Sequence, residues 1–145
     1  MGSRFSVSKT TAAISTGADA FTFVAPANRS LKIWALRMYG SGTLSAYNEM
    51  ILSRSTGGVT PSAPIVPTPL SPDSAAATFT VPTVWVTQPT IGAVVERVGV
   101  NSNGAAVQLV FPPGQEIDVP AGTQVSLRAA SGSGTLSFSA VVEQV

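Results

Sequence analysis

Apolar residues recur at alternate positions along this chain, in short runs broken by Gly, Pro, Asn and Ser, and helix-period stretches are nearly absent. Period-two alternation between turn signals predicts strands. Phe5, Val7 and Lys9 alternate with Ser6 and Ser8, which fits a short first strand or an extended arm over Met1 to Thr11. Ala20 to Val24 reads as a second strand, stopped by Pro26, and Leu31 to Tyr39 as a third. In that third strand Leu31, Ile33 and Ala35 alternate with Trp34, Leu36 and Met38, so it is expected to be buried on both faces, with Trp34 in the core. Thr43 to Arg54 continues as strand, although Tyr47 to Leu52 also suits a helical turn.

From Ser55 to Pro82 the character changes. Pro61, Pro64, Pro67, Pro69, Pro72 and Pro82 remove ladder donors and fix φ, so this stretch is neither helix nor central strand. A connection of this length in a compact domain is usually functional or disordered. Its apolar residues Ile65, Val66 and Leu70 argue that it lies against a surface. An arm docked on a neighbouring subunit is the sharper reading, and a loop wrapping its own domain is the alternative.

Strands then return at Ala77 to Val81, Val84 to Thr87 and Ile91 to Val100. The last is expected to form a hairpin with Ala105 to Phe111 through Asn101-Ser102-Asn103-Gly104, because Asn-Gly supplies the positive φ that tight turns need. Gln115 to Val119, Gln124 to Ala129 and Thr135 to Val145 complete the set. Gly40-Ser41-Gly42-Thr43-Leu44-Ser45 is echoed by Gly132-Ser133-Gly134-Thr135-Leu136-Ser137, which suggests similar turns in two halves of a Greek-key sandwich. The expectation is an all-β chain: one domain over 1–145, a jelly-roll-like β-sandwich of roughly eight to ten short antiparallel strands with a long Pro-rich connection over 55–82.

Composition sharpens this picture. Charged residues make up 10% of the chain, against about 25% in an average domain. The surface is therefore largely Ser, Thr, Ala, Gly, Pro and apolar side chains. The basic residues are scattered and leave a net charge of +1, so no patch is dense enough to neutralise several phosphates, and no nucleic-acid partner is expected. No apolar run approaches the length that spans a bilayer, and MGSRFSVSK lacks the apolar segment of a signal peptide, so no membrane partner is expected. The start also fits a loose myristoylation pattern and Asn28-Arg29-Ser30 a glycosylation sequon; both are weak signals.

Candidate chemistry is sparse. With no His and no Cys, the commonest general base, the commonest metal ligand and thiolate chemistry are all missing. Glu116 and Asp118, two apart on an expected strand, would share a face as glycosidase carboxylates do or hold calcium, but no Asp/Asn cluster supplies the further ligands calcium takes. Trp34, Trp85, Tyr39 and Tyr47 are the raw material for a sugar platform. No enzyme, cofactor or metal site is predicted. A carbohydrate- or receptor-binding module of a tail fibre or secreted protein is the alternative to a structural role.

Leu31-Lys32-Ile33, the run from Arg54-Ser55-Thr56-Gly57-Gly58 into Pro67-Thr68-Pro69-Leu70-Ser71-Pro72-Asp73-Ser74-Ala75-Ala76, Pro113-Gly114-Gln115-Glu116-Ile117 through Val125-Ser126-Leu127-Arg128, and Gly134-Thr135-Leu136 to Glu143 resemble the jelly-roll head decoration (cement) proteins of tailed phages. The resemblance implies a virion protein on the capsid exterior, made in the host cytoplasm. It also implies that the protein binds the major capsid protein, as a homo-trimer, and stabilises the head. On that reading the expected interface residues are Phe5 and Val7 of the arm and Ile65, Val66, Pro67, Pro69 and Leu70 of the Pro-rich segment.

Overall fold

The computed structural model describes residues 2–145. Their strands are β1 (Ser3–Ala13), β2 (Asp19–Val24), β3 (Leu31–Gly40), β4 (Tyr47–Thr56), β5 (Val59–Ser62) and β6 (Thr68–Pro69). There follow β7 (Val84–Thr87), β8 (Thr90–Asn101), β9 (Ala106–Val110), β10 (Ile117–Val119), β11 (Gln124–Ser131) and β12 (Thr135–Gln144). The first sheet runs β6, β1, β12, β3, and β9 and β10 pair with successive parts of β3 on its far side. The second runs β2, β11, β4, β8. All pairs are antiparallel.

Outside the Pro-rich stretch, the chain changes sheet between β1 and β2, β2 and β3, β3 and β4, β8 and β9, β10 and β11, and β11 and β12. Eight strands in two four-stranded layers, β1-β12-β3-β9 and β2-β11-β4-β8, make a jelly roll. The alternation explains why this closes. Phe5, Val7, Leu36, Met38, Phe138 and Val142 are buried on the inner face of one sheet, and Phe21, Phe23, Met50, Leu52, Val125 and Leu127 on that of the other. Phe21 and Phe138 meet edge to face across the gap at 5.6 Å, a favoured aromatic geometry.

Several sequence expectations are corrected. β3 is not buried on both faces: the register with β12 slips between Val141 and Val142, leaving Trp34 bulged between Ile33 and Ala35. The bulge resets the alternation, so that Leu31 and Ile33 point inward before it and Leu36 and Met38 after it. Trp34 is only half-buried and sits outside the core. Tyr47 to Leu52 is strand rather than helical turn, while 41–46 is loop. Ala77 to Val81 is no strand apart from a single bridge between Thr80 and Val24.

The expected hairpin does not form either. Gly104 has the positive φ, 76°, but β8 pairs with β4 and β9 with β3, in different sheets. Ser102 decides this. It is fully buried, and its hydroxyl donates to the Leu44 carbonyl at 2.7 Å and accepts the Ala46 amide at 3.1 Å. Its own amide donates to the Ala46 carbonyl and its carbonyl accepts the Gly42 amide. The turn is thereby pinned to the β3–β4 loop instead of folding back on itself.

The two Gly-Ser-Gly echoes meet at this corner without being equivalent halves: Leu44 is exposed and Leu136 fully buried. Both matter because the Asn101–Ser102 turn passes close, with its backbone at Gly40 and the Ser102 side chain at Gly134. A Cβ on Gly40 would lie 2.5 Å from the Asn101 carbonyl oxygen and the Ser102 carbonyl carbon, and one on Gly134 2.7 Å from the Ser102 hydroxyl. Gly40→Ala is expected to cost about 1–3 kcal/mol, the range for overpacking, which lowers Tm by several degrees in a calorimetric scan.

The N-terminal segment is a strand, not an arm. β1 pairs with β12 over most of its length, and Phe5 and Val7 are each 1% exposed, packed in this chain's own core. Alternation with Ser6 and Ser8 is what a strand with one buried face requires. Met1, also assigned to the arm, lies outside the described residues.

The Pro-rich connection lies on its own domain. β5 and β7 form a ribbon over the outer face of the second sheet, where the buried Trp85 donates from Nε1 to the Thr22 hydroxyl at 3.0 Å. The chain then crosses to the β1 edge of the first sheet, where β6 pairs with Phe5 and Ser6. On its return it inserts Phe79 and Val81, both buried, beside β1 and β2; Phe79 meets Phe5 at 5.5 Å. Thr78 donates from its amide and its hydroxyl to the Gln144 side-chain oxygen. Proline suits such a belt, since it lies along edges and needs few ladder donors.

Candidate interaction surface

The same alternation that fills the core also builds the outer face of the first sheet. The residues between the inward-facing ones fall into cross-strand rows. One is Ser6, Val141, Ala35 and Val110; the next is Ser8, Ser139, Arg37 and Gln108; beyond it come Ser137, Tyr39 and Ala106. Ser6, Ser8, Ser139, Ala35 and Ala106 are small, and Arg37, Gln108 and Tyr39 are the long side chains among them. Thr68 of β6 pairs with Ser6 and extends the sheet sideways, and the exposed Val66 and Leu70 lie beside it in the belt. The apolar residues Val110 (61% exposed), Leu70 (54%) and Tyr39 (46%) stand at its margins.

Charge is concentrated at one end. Glu143 is 7% exposed yet fully occupied: Oε1 accepts the Gly2 amide at 2.9 Å, and Oε2 accepts Trp34 Nε1 at 2.7 Å with Arg4 Nε at 3.9 Å. The Arg4 guanidinium lies 4.2 Å from the Trp34 ring centroid, within cation–π range. This cluster ties the first residues of β1 to β12 and β3, and it explains why an indole can sit outside the core.

On the second sheet the outer face is covered over β2, β11 and the adjoining part of β4, while at the β4–β8 side Tyr47 and Arg97 stay exposed and Glu49 is only half-buried. Thr22, Ser53, Ser55 and Ser126 point away from the core but are buried, with Thr22 lying under Trp85. Asp19 and Arg128 form a buried pair at 2.6 Å, and Arg128 also donates to the Pro89 carbonyl. The ribbon is therefore a third layer over part of the second sheet, and the first sheet keeps an open face whose cross-strand rows hold fewer charges than the exposed β4–β8 side of the second.

Of the residues expected at an interface, Phe5 and Val7 are committed to the core and unavailable to a partner. Ile65, Pro67 and Pro69 alternate inward and are half-buried against their own domain, whereas Val66 (81% exposed) and Leu70 remain open. The rows of the sheet face went unread in the sequence. Their signal was present in the Ser-x-Ser spacing of β1 and β12, but which strands neighbour each other is not encoded locally.

The remaining candidates separate. Glu116 caps a turn by accepting the Gly114 amide at 2.7 Å and lies just before β10, while Asp118 is exposed on β10 and its carbonyl accepts from Arg54. Among the described residues no three acidic side chains gather as a metal would need. The aromatic residues build no common platform. Arg4 covers Trp34, Trp85 is buried, Tyr39 lies on the first sheet, and Tyr47 is on β4 against Gly99 of the second.

The chain matches no protein-family model, no curated protein and no solved structure.

Proposed function

We propose that this chain is a structural virion subunit: a decoration protein that docks on the outside of a tailed-phage head, contacts the major capsid protein as a homo-trimer and stabilises the shell. The observation that supports this reading is the open, charge-poor outer face of the first sheet, widened by β6. A face of small and apolar residues can be buried against another protein with little desolvation cost, because few charges must leave water. In a trimer each such contact can be weak while the joined set holds firmly. The Ser/Thr-rich surface also suits close neighbours, since repulsion between copies is small at a net charge of +1. Val66 and Leu70 belong to the docking face in this account, while Phe5 and Val7 act only through the core.

The test is binding to expanded, DNA-free heads of the same virus, followed by the temperature at which filled heads release DNA. Wild-type protein is expected to raise that temperature. Val141→Lys and Leu70→Asp, which place a charge on the face without touching the core, are expected to weaken binding on the order of tenfold. Heads whose thermal release is unchanged by saturating wild-type protein would rule the proposal out.

A further inference from the structure

The fold uses most of its arginines itself. Arg128 is paired with Asp19, Arg97 with Glu49 at 2.6 Å, Arg54 reaches the Asp118 carbonyl, and Arg4 lies over Trp34. Arg37 differs. It is exposed on β3, in the middle of the first sheet's open face, and among the described residues its guanidinium has neither an ion-pair nor a hydrogen-bond partner.

Its surroundings are chemically uniform. Ser8 pairs with Ser139, Ser139 with Arg37, and Arg37 with Gln108, so four side chains able to donate hydrogen bonds stand in one row across four strands. At the usual strand spacing that row spans about 14 Å. No carboxylate stands in it. Shallow depressions flank the arginine, one beside Ser6, Ala35 and Ser139, the other of about 220 Å³ beside Tyr39, Ala106 and Gln108.

Burying such a face would strand an uncompensated cation, which is costly unless the partner supplies an opposite charge. A planar guanidinium is matched best by a carboxylate, which it grips with two parallel hydrogen bonds. We propose that Arg37 is the anchor by which this face recognises an acidic side chain of the protein it docks against, with the Ser139 hydroxyl and Gln108 amide as supporting donors. This deepens the reading of the face as a capsid-docking surface and rests on it. The occupant is the shell protein, and what it presents is an Asp or Glu amid small uncharged residues.

Binding of the full-length protein to DNA-free heads, titrated with NaCl, separates the possibilities. Arg37→Ala is expected to weaken binding on the order of tenfold or more and to flatten the salt dependence. Arg37→Lys should recover only part of the loss, because it keeps the charge and loses the fork, and Arg37→Glu should bind least. Heads whose exposed carboxylates have been converted to neutral amides should bind wild-type protein no better than untreated heads bind Arg37→Ala. Unchanged melting curves for the variants would confirm that the exposed site carries no fold stability. Wild-type binding with Arg37→Ala equal to it in affinity and salt slope would overturn the anchor while leaving the docking face intact. Dissociation of the trimer in Arg37→Ala, with head binding per subunit unaltered, would overturn it in favour of a second copy as occupant. Failure of the wild-type protein to bind heads at all would remove both this inference and the reading beneath it.

Discussion

Replacing Asp19 by alanine is expected to destabilise the protein by about 3–5 kcal/mol, the usual effect of removing one member of a buried ion pair. The side chain of Asp19 is fully buried, and that of Arg128 is 13% exposed. Asp19 accepts from Arg128 Nε at 2.6 Å and from the Thr22 hydroxyl at 2.7 Å. Thr22 in turn accepts from Trp85, and Arg128 donates to the Pro89 carbonyl. The alanine variant therefore leaves a buried guanidinium unmatched and loosens the ribbon that covers the second sheet. Urea unfolding followed by tryptophan fluorescence measures the loss. The double variant Asp19→Leu with Arg128→Met should recover most of it, because no lone charge is left behind. A double variant as unstable as Asp19→Ala would mean that the pair's hydrogen bonds, rather than the stranded charge, carry the effect.

Phe5→Ala is expected to cost about 3–5 kcal/mol, and deletion of residues 2–9 to abolish folding. Phe5 is 1% exposed and stacks edge to face on Phe79. Its removal empties the junction of the first sheet, the belt and the core at once. Deleting the strand would also bare the edge of β12 that pairs with β1, leaving this stretch joined to β3 alone. An N-terminal arm would behave differently, since its loss would leave a stable monomer that merely assembles poorly. Circular dichroism and a urea midpoint on each variant distinguish the two. A deletion variant with the wild-type midpoint would contradict the place of β1 in the core.

The order of the strands carries a kinetic consequence as well. Among the described residues, no two strands consecutive in sequence pair within either sheet. Every pairing must therefore close a long loop before any contact rewards it, which makes folding slow for a chain of this size.

Much of the architecture was legible locally. Alternation located most of the strands to within a few residues, and the spacing of Gly and Pro turns pointed to a sandwich of the jelly-roll kind. The proline run marked the one long connection. Low charge and the missing His and Cys narrowed the chemistry worth considering. These are properties of neighbouring residues, and strand periodicity is a neighbour-to-neighbour signal.

What the tertiary structure alone decided depends on residues distant in sequence. A single bulge at Trp34 reversed which side of β3 faces the core, and no propensity announces a bulge. Ser102, bonded to Leu44 and Ala46, sent β8 and β9 into different sheets despite an Asn-Gly turn. Asp19 found Arg128, 109 positions away, and Phe5 found Phe79. The open row around Arg37 exists only because β1, β12, β3 and β9 lie side by side, an order set by burial of the whole core rather than by any local pattern.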